Sequence, residues 1–595
     1  MELTQEQEAK FKKLGIHSLA ELALHIPSSY EDHRVTSTLV PQKYQVIDAT
    51  VQSVYRSANS IQITFFAHNF GHTLSGVIFK PQPYMLHAFH TGQRDYFYGF
   101  IDCKMGQCTI TMPRKVSHIG KITPKYKSKL RNDTHAKLVQ KLVTAENLFQ
   151  SGLKQEIVEA VLKLHFPSEL PPKELNETSL QALKYLELFI YLLQLRKKRR
   201  YFKTLVSKQS EYKTWTKKLP FELTLEQQNA IEDIQKDFSK EVAARRMIVG
   251  DVGSGKTMVI LASAYMMHPY KSVLMAPTTI LANQLYEEAQ KYLDMQVALV
   301  TNKTKKVDLS EYDFIIGTHA LLYRELPEVG VVMVDEQHRF GTAQRNLLEK
   351  LVSSGNKKPH FLQFSATPIP RTQAMIESAH IDVSLITSTP YKKDIDSQVI
   401  QKKDFKDLLE HIKEEIAQKN QVLLVYPLVE QSEALEYQSI DEARSYWEKN
   451  FENVYVTHGK DKDKEQVLLD FRDNGDILIA TTVVEVGISL PRLSTVVIVG
   501  AERLGLSTLH QLRGRVSRTG LKGYCFLYTN RQESQRLEEF VKTTNGFDIA
   551  NLDLRYRKSG DLLKGESQSG SQFKYFDFAL DEEIVSEVKS DLLKA

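Results

Sequence analysis

At 595 residues, 42% hydrophobic and 25% charged, the chain has the composition of an ordinary globular protein with room for three or four domains. Its 78 basic residues against 73 acidic ones leave a net charge of only +5, so any surface for a polyanion must be local. The start, Met1-Glu-Leu-Thr-Gln-Glu, is not a secretory signal, and the most apolar run, Tyr185 to Leu195, is too short to span a bilayer and carries Glu187. Cys103, Cys108 and Cys525 suit a reducing compartment, and the expectation is a cytoplasmic protein. The spacing of the first two cysteines reads as half of a zinc site, but no second pair completes it.

In chain order, residues 1 to about 40 read helical, with Phe11, Leu14, Ile16, Leu19, Leu22 and Leu24 on a common face and a stop at Ile26-Pro27. From about 44 to 115 come short β-rich runs (46–47, 61–66, 77–79, 96–98, 108–111), punctuated by Gly and Asn as in a small barrel. Phe65 and Phe66 are adjacent, so only one of them can face a barrel core. Residues 130 to 205 return to helix and end in Arg196-Lys-Lys-Arg-Arg200, which reads either as a solvated helix end or as a phosphate track. From about 216 to 530 apolar strands alternate with amphipathic stretches, the pattern of parallel α/β sheets, over a length that fits two. The last 60 residues are charged.

Three motifs carry chemistry. Gly250-Asp251-Val252-Gly253-Ser254-Gly255-Lys256-Thr257 fits the phosphate-loop pattern, after the apolar run Met247-Ile-Val249 and before a helical stretch. Bare backbone at the glycines lets N–H groups wrap an anion, Lys256 reaches the outer phosphates, and the Thr257 hydroxyl takes a place on Mg²⁺. Val331-Val-Met-Val-Asp335-Glu336-Gln337-His338 is a buried strand ending in two carboxylates: Asp335 to hold the Mg²⁺ shell, Glu336 to orient or deprotonate the attacking water. Gln511-Leu-Arg-Gly514-Arg515-Val-Ser-Arg518 places Arg515 and Arg518 where guanidinium groups can reach across a cleft to a γ-phosphate.

Together with Phe364-Ser-Ala-Thr-Pro-Ile-Pro-Arg371 and Ala480-Thr-Thr-Val-Val-Glu-Val-Gly487, these motifs resemble superfamily-two helicases. In finer detail the chain resembles the RecG family over nearly its full length. The resemblance runs through Leu219-Pro-Phe-Glu-Leu-Thr224 to Gln227, Met275-Ala-Pro277-Thr278-Thr279-Ile280, Gly317-Thr318-His319-Ala-Leu-Leu322, Arg339-Phe-Gly341 with Gln344-Arg345, Pro427-Leu-Val-Glu430 and Ala501-Glu-Arg-Leu-Gly505. Upstream, Leu14-Gly-Ile16, His25-Ile-Pro27, Tyr30-Glu-Asp32 and His165-Phe-Pro167 look like that family's N-terminal region and linker.

The resemblance implies a multidomain α/β architecture. It comprises an N-terminal helical segment (1–43), an OB-like β-barrel wedge (44–120), a helical linker (121–215), tandem RecA-like domains (216–392 and 393–535) and a C-terminal helical-hairpin and loop element (536–595). It implies an ATP- and Mg²⁺-dependent double-strand DNA translocase, monomeric and nucleoid-associated, acting on replication forks, Holliday junctions, D-loops and R-loops, with single-strand-binding protein as a family-based partner. Lys256, Asp335, Glu336, Gln337, His338, Arg515 and Arg518 would be catalytic, and Gln227, the loop 250–257 and Gly487 would hold nucleotide. The DNA-facing set would be Phe79 and Tyr84 in the wedge, Pro277, Thr278, Thr279, Thr318, His319, Thr481 and Thr482 in the motor, and Arg555 in the tail. This chain departs from the family pattern at Ser489 (usually Asp), Ser517 (usually Gly), Arg557-Lys-Ser-Gly560, a loop one residue longer, and Ser567. Competing expectations are a transcription-coupled repair translocase, a junction binder with a degenerate ATP site, and a DEAD-box RNA helicase. They are disfavoured by missing domains, by the intact Lys256, Asp335, Glu336 and Arg518, and by the barrel and tail, respectively.

Overall fold

The computed structural model describes residues 3–594 except 58, 83–84, 86–87, 105, 173, 200, 306, 354, 368, 392, 428–436, 460, 482–488, 518–519 and 565–572, with main chain alone at 338, 342, 346, 371 and 557–564. The chain forms two compact units. The first holds residues 1–193 together with 573–577 and 583–595; the second holds 194–572 and 578–582.

A closed five-stranded barrel dominates the first unit, built from Lys43–Arg56, Ser60–Ala67, His72–Phe79, Gln107–Lys115 and Arg94–Lys104 in spatial order. Alternation drives it: Ile61, Ile63, Phe65 and Ala67 are all buried, while Phe66 is half-exposed against His68. The interior is narrow. A Cβ on Gly76 would come 2.5 Å from the Phe65 ring, and one on Gly99 2.6 Å from Ile110, so both strands need bare backbone there. Cys103 and Cys108 stand opposite each other on adjacent strands with Cα atoms 4.0 Å apart and form a disulfide. This corrects the expectation of reduced thiols at these two positions, because cross-strand pairing brings the two sulfurs to each other. Only Cys525 is a free thiol, and it is buried.

The N-terminal segment is also less helical than its apolar spacing suggests. Gly15, at φ 75°, ends the helix Gln5–Leu14, a second helix covers Leu19–Leu24, and Ser29–Asp32 is a strand paired antiparallel with Ile122–Lys125. Four helices follow: Asn132–Leu142, Ala145–Gln150, Gln155–His165 and Glu177–Lys198. Two of the motifs noted in the sequence meet here, since Tyr30 Oη donates to the Leu164 carbonyl at 2.6 Å and His165 Nε2 donates to the Ala23 carbonyl at 2.8 Å. That bond fixes the tautomer, leaving Nδ1 to accept from Tyr126 Oη at 2.9 Å. Glu187, the odd charge in the most apolar run, accepts backbone N–H groups from Lys574, Tyr575 and Phe576 at 2.6, 2.8 and 2.9 Å. The chain's last helix, Glu582–Lys594, is held in the same unit by Tyr185 Oη on Asp591 at 3.0 Å and by the Lys154–Glu587 ion pair.

Besides a two-stranded parallel pair, Lys203–Thr204 with Lys357–Lys358, the second unit contains two large parallel sheets. One has seven strands, ordered Val297–Val300, Phe314–Gly317, Ser272–Met275, Val331–Val334, His360–Ser365, Arg245–Gly250 and Asp382–Ile386. The other has six: Ile395–Ile400, Gly523–Tyr528, Leu493–Val499, Gln421–Val425, Ile477–Ala480 and Val454–Thr457. Helices cover the faces, so strands such as Val331–Val334 are buried at every residue and read as unbroken apolar runs. The basic run at 196–200 begins in the last turn of the helix Glu177–Lys198, and Arg199 pairs with Asp382 at 2.8 Å. The helix Gly546–Lys564 packs on Leu506–Arg513, where Asp553 accepts the Leu506 N–H at 3.1 Å. Among the described residues no helix is long and apolar enough to cross a membrane.

Burial holds the His165 imidazole down to about 4. The unfolded chain therefore takes up a proton below about pH 6.5 that the folded chain refuses until about pH 4, and stability falls as pH drops through that window. At ~1.4 kcal/mol per unit, this site costs up to about 3 kcal/mol. Denaturant unfolding at pH 6.5 and 4 should show wild type losing ~2–3 kcal/mol more than His165→Gln; equal losses would refute the assignment.

Candidate active site

The strand Arg245–Gly250 lies inside the seven-stranded sheet, and its carboxyl end runs into the loop 251–255 before the helix Lys256–Met267. Gly253 and Gly255 sit at φ 81° and 75°, conformations that cost other residues about 1 kcal/mol or more. A Cβ on Gly255 would collide with the Gln227 amide. Gln227 is buried by design: Thr224 and Gln227 form a reciprocal cap at the start of the helix Leu225–Phe238, and Gln227 Nε2 then donates to the Ser254 carbonyl at 2.8 Å. Lys256 Nζ donates to the Gly250 and Asp251 carbonyls at 2.8 and 3.1 Å. The Ser254 hydroxyl is buried without a hydrogen-bond partner among the described residues.

Asp335 and Glu336 arrive from the carboxyl end of Val331–Val334, two strands from the phosphate-loop strand. Burial pushes the Asp335 carboxyl well above its usual range, the Glu336 charge adds to this, and Lys256 pulls it back. Glu336 adopts φ 48°, left-handed backbone for a non-glycine, and its carboxylate accepts the Ala366 N–H at 3.2 Å. Gln337 Oε1 accepts from Arg345 at 3.0 Å. The His338 side chain lies outside the described residues.

The six-stranded sheet supplies the opposite wall. Arg515 and Ser517 line a cavity of about 660 Å³ together with Gly253, Lys256, Thr257, Asp335 and Glu336. The rings of Phe221, Tyr292 and Tyr391 line the same space, and Gln511 Nε2 ties the walls together by donating to Thr367 Oγ1 at 2.9 Å. Cationic, acidic and aromatic groups thus surround one space, which fits a nucleotide with its phosphates on the loop.

Residues 224–376 match the DEAD/DEAH box helicase family, and 403–520 match the helicase conserved C-terminal domain. ATP-dependent DNA helicase RecG of Helicobacter pylori strain J99 is 44% identical, over 99% of this chain and 98% of that one. The chain belongs to the RecG family. The RecG of Aquifex aeolicus is 34% identical over 97% of this chain and 80% of its own. A solved RecG bound to a three-way DNA junction is 27% identical, with a TM-score of 0.56 over all of this chain and 84% of that one. As a RecG-family chain, this protein is an ATP-dependent helicase.

Other expected residues are scattered in the second unit and the barrel. Pro277, Thr278 and Thr279 follow the strand Ser272–Met275, where Thr278 caps a helix by accepting the Leu281 N–H at 3.2 Å. Thr318 is buried and caps the turn that begins at His319, which is exposed. Thr481 follows Ile477–Ala480, and its hydroxyl is buried without a hydrogen bond among the described residues. Arg555 is exposed on the helix Gly546–Lys564, and Phe79 is 58% exposed at the end of a barrel strand. Tyr84, Thr482, Gly487 and Arg518 lie outside the described residues, as do Gln568-Ser-Gly570 and Ser567.

Sequence reading missed Lys393. It belongs to no motif, yet its Nζ donates to the Val252 carbonyl at 2.6 Å and stands beside Gly253, putting a second lysine at the phosphate loop. Lys393→Ala should raise the KM for ATP by about 5–30-fold, the worth of ~1–2 kcal/mol for one charged hydrogen bond. Steady-state hydrolysis across ATP concentrations measures it, and an unchanged KM would remove Lys393 from the site.

Proposed function

We propose that this chain is a double-strand DNA translocase that uses ATP to regress stalled forks and migrate branches. The observation that carries the reading is convergence: the phosphate loop, the Asp335–Glu336 pair and Arg515 line one cavity in a RecG-family chain. On this reading 216–392 and 393–535 are tandem RecA-like domains, 44–120 is the wedge that parts strands, 121–215 links them, and 536–595 carries the motor's motion to duplex DNA. Relatives named for RecG and a RecG structure solved on a three-way junction support branched DNA as the substrate.

Mg²⁺ would be held by Thr257 and Asp335 with the phosphates, and the raised Asp335 carboxyl is a group that a cation would return to its charged form. When bound, ATP supplies the phosphoryl group whose transfer to water releases free energy. Lys256 leaves its loop carbonyls to meet the outer phosphates. Glu336, held by the Ala366 N–H, orients the water, and Arg515 neutralises charge from the opposite wall. In the barrel, Phe79 is exposed enough to stack on a separated base, with Tyr84 its proposed companion.

Hydrolysis measured with a model fork, a plain duplex and single-stranded RNA, with fork conversion followed in the same tubes, tests the reading. Strong stimulation by the fork with reversal supports it; fork binding without turnover would make the chain a junction binder. Lys256→Ala should abolish turnover and keep fork binding, whereas persisting turnover would refute the phosphate-loop assignment. Phe79→Ala should weaken fork binding by ~1–3 kcal/mol for a lost stacked base, and unchanged affinity would return Phe79 to the barrel surface.

A further inference from the structure

Asp251 is the first variable residue of the phosphate loop, but its carboxylate is engaged away from the nucleotide cavity. Oδ1 accepts His510 Nε2–H at 2.6 Å and the Val252 N–H at 2.6 Å, while Oδ2 accepts the Gly546 N–H at 3.0 Å. His510 lies on the helix Leu506–Arg513, which follows the second sheet's strand Leu493–Val499, and Gly546 opens the helix that bears Arg555. One side chain therefore joins the phosphate loop of the first sheet to a helix that connects two strands of the second and to the helix Gly546–Lys564 that follows it.

The network continues. Arg513 Nη2 lies 3.1 Å from His510 Nδ1, and because a guanidinium can only donate, Nδ1 must accept and the ring proton sits on Nε2, facing Asp251. Arg513 also donates to the Phe540 carbonyl at 3.2 Å and the Thr543 carbonyl at 2.8 Å, with its guanidinium over the Phe540 ring at 4.2 Å. Asp251, His510 and Arg513 are all buried. The segment 540–546 is thus gripped at one end by Arg513 and at the other by Asp251.

Buried networks of this kind do not stretch. Displacing the phosphate loop from the second sheet by an ångström would leave a buried carboxylate or guanidinium short of partners, so the network either moves as a body or breaks. We propose that Asp251, His510 and Arg513 act as positioning residues that pass the state of the phosphate loop to the helix Gly546–Lys564, coupling nucleotide turnover to movement on DNA. The proposal rests on the translocase reading above. It assigns these residues to transmission rather than to hydrolysis.

The test reads fork conversion per ATP hydrolysed, with both measured in one tube on the full-length protein. His510→Phe fills the space without a polar atom. His510→Gln keeps an N–H for Asp251 and an oxygen for Arg513. Gly546→Pro deletes one donor at the first position of a helix, where proline is well accepted, and Asn545 Oδ1 still caps that helix through the Phe547 and Asp548 N–H groups at 2.8 and 3.4 Å. His510→Phe and Gly546→Pro should lower conversion per ATP at least fivefold, and His510→Gln should stay within about twofold of wild type. An unchanged ratio in the first two, or a glutamine as poor as the phenylalanine, would overturn the proposal. If His510→Phe shows no cooperative unfolding transition, Gly546→Pro decides alone. Should wild type itself convert no fork, the translocase reading fails instead.

Discussion

In a parallel sheet every strand runs the same way, so every loop that leaves a carboxyl end emerges on one edge. The rest of the motor depends on this constraint. The phosphate loop follows Gly250, Asp335 follows Val334, Ala366 and Thr367 follow Ser365, Thr278 follows Met275 and Thr318 follows Gly317, all from one seven-stranded sheet. Residues up to about 120 positions apart in sequence become neighbours because their strands share a direction. The helix that carries His510, Gln511 and Arg513 faces that edge, meeting Asp251 and Thr367.

Two buried aspartates on this edge show how neighbours decide what a carboxylate can do. Burial raises both. At Asp335 the adjacent Glu336 adds to the rise, leaving a group that wants a cation. At Asp251 burial is overcome by the His510 Nε2–H hydrogen bond, the Lys393 charge and the Val252 N–H, which together hold the carboxyl below its usual range. One is poised to respond to what enters the cavity; the other is permanently charged and fully engaged. That contrast suits the roles proposed for them, chemistry for Asp335 and connection for Asp251.

The motor was the most legible part of the chain because phosphate binding demands bare backbone at fixed spacing, and glycine is visible in sequence. The barrel was legible through alternation, which allowed only one of Phe65 and Phe66 a place in the core; the structure shows that it is Phe65. What escaped were contacts between segments with no periodic signal. Lys393 reaches the loop from the connection between the sheets, Glu187 captures three backbone N–H groups near residue 575, and His510 stands one residue before the motif that drew attention. The N-terminal helix was over-extended in the sequence reading because spacing of apolar residues does not reveal that Gly15 turns left-handed. Cys103 and Cys108 were misread because pairing register, not spacing, brings them together.

Ser517, read in sequence as a departure from the family's glycine, gains a physical meaning. Its backbone sits at φ 62°, a conformation glycine adopts freely and serine only at a cost of about 1 kcal/mol. It is buried two residues after Arg515, on the wall of the cavity that Lys256 and Asp335 also line, and a Cβ added at Gly523 would stand 3.2 Å from its own. The turn is therefore confined by its neighbours, and the left-handed conformation persists because the packing over-determines it. A serine gives up less chain freedom on folding than a glycine would, and this offsets part of that strain at a turn two residues from Arg515, which lines the same cavity as Lys256.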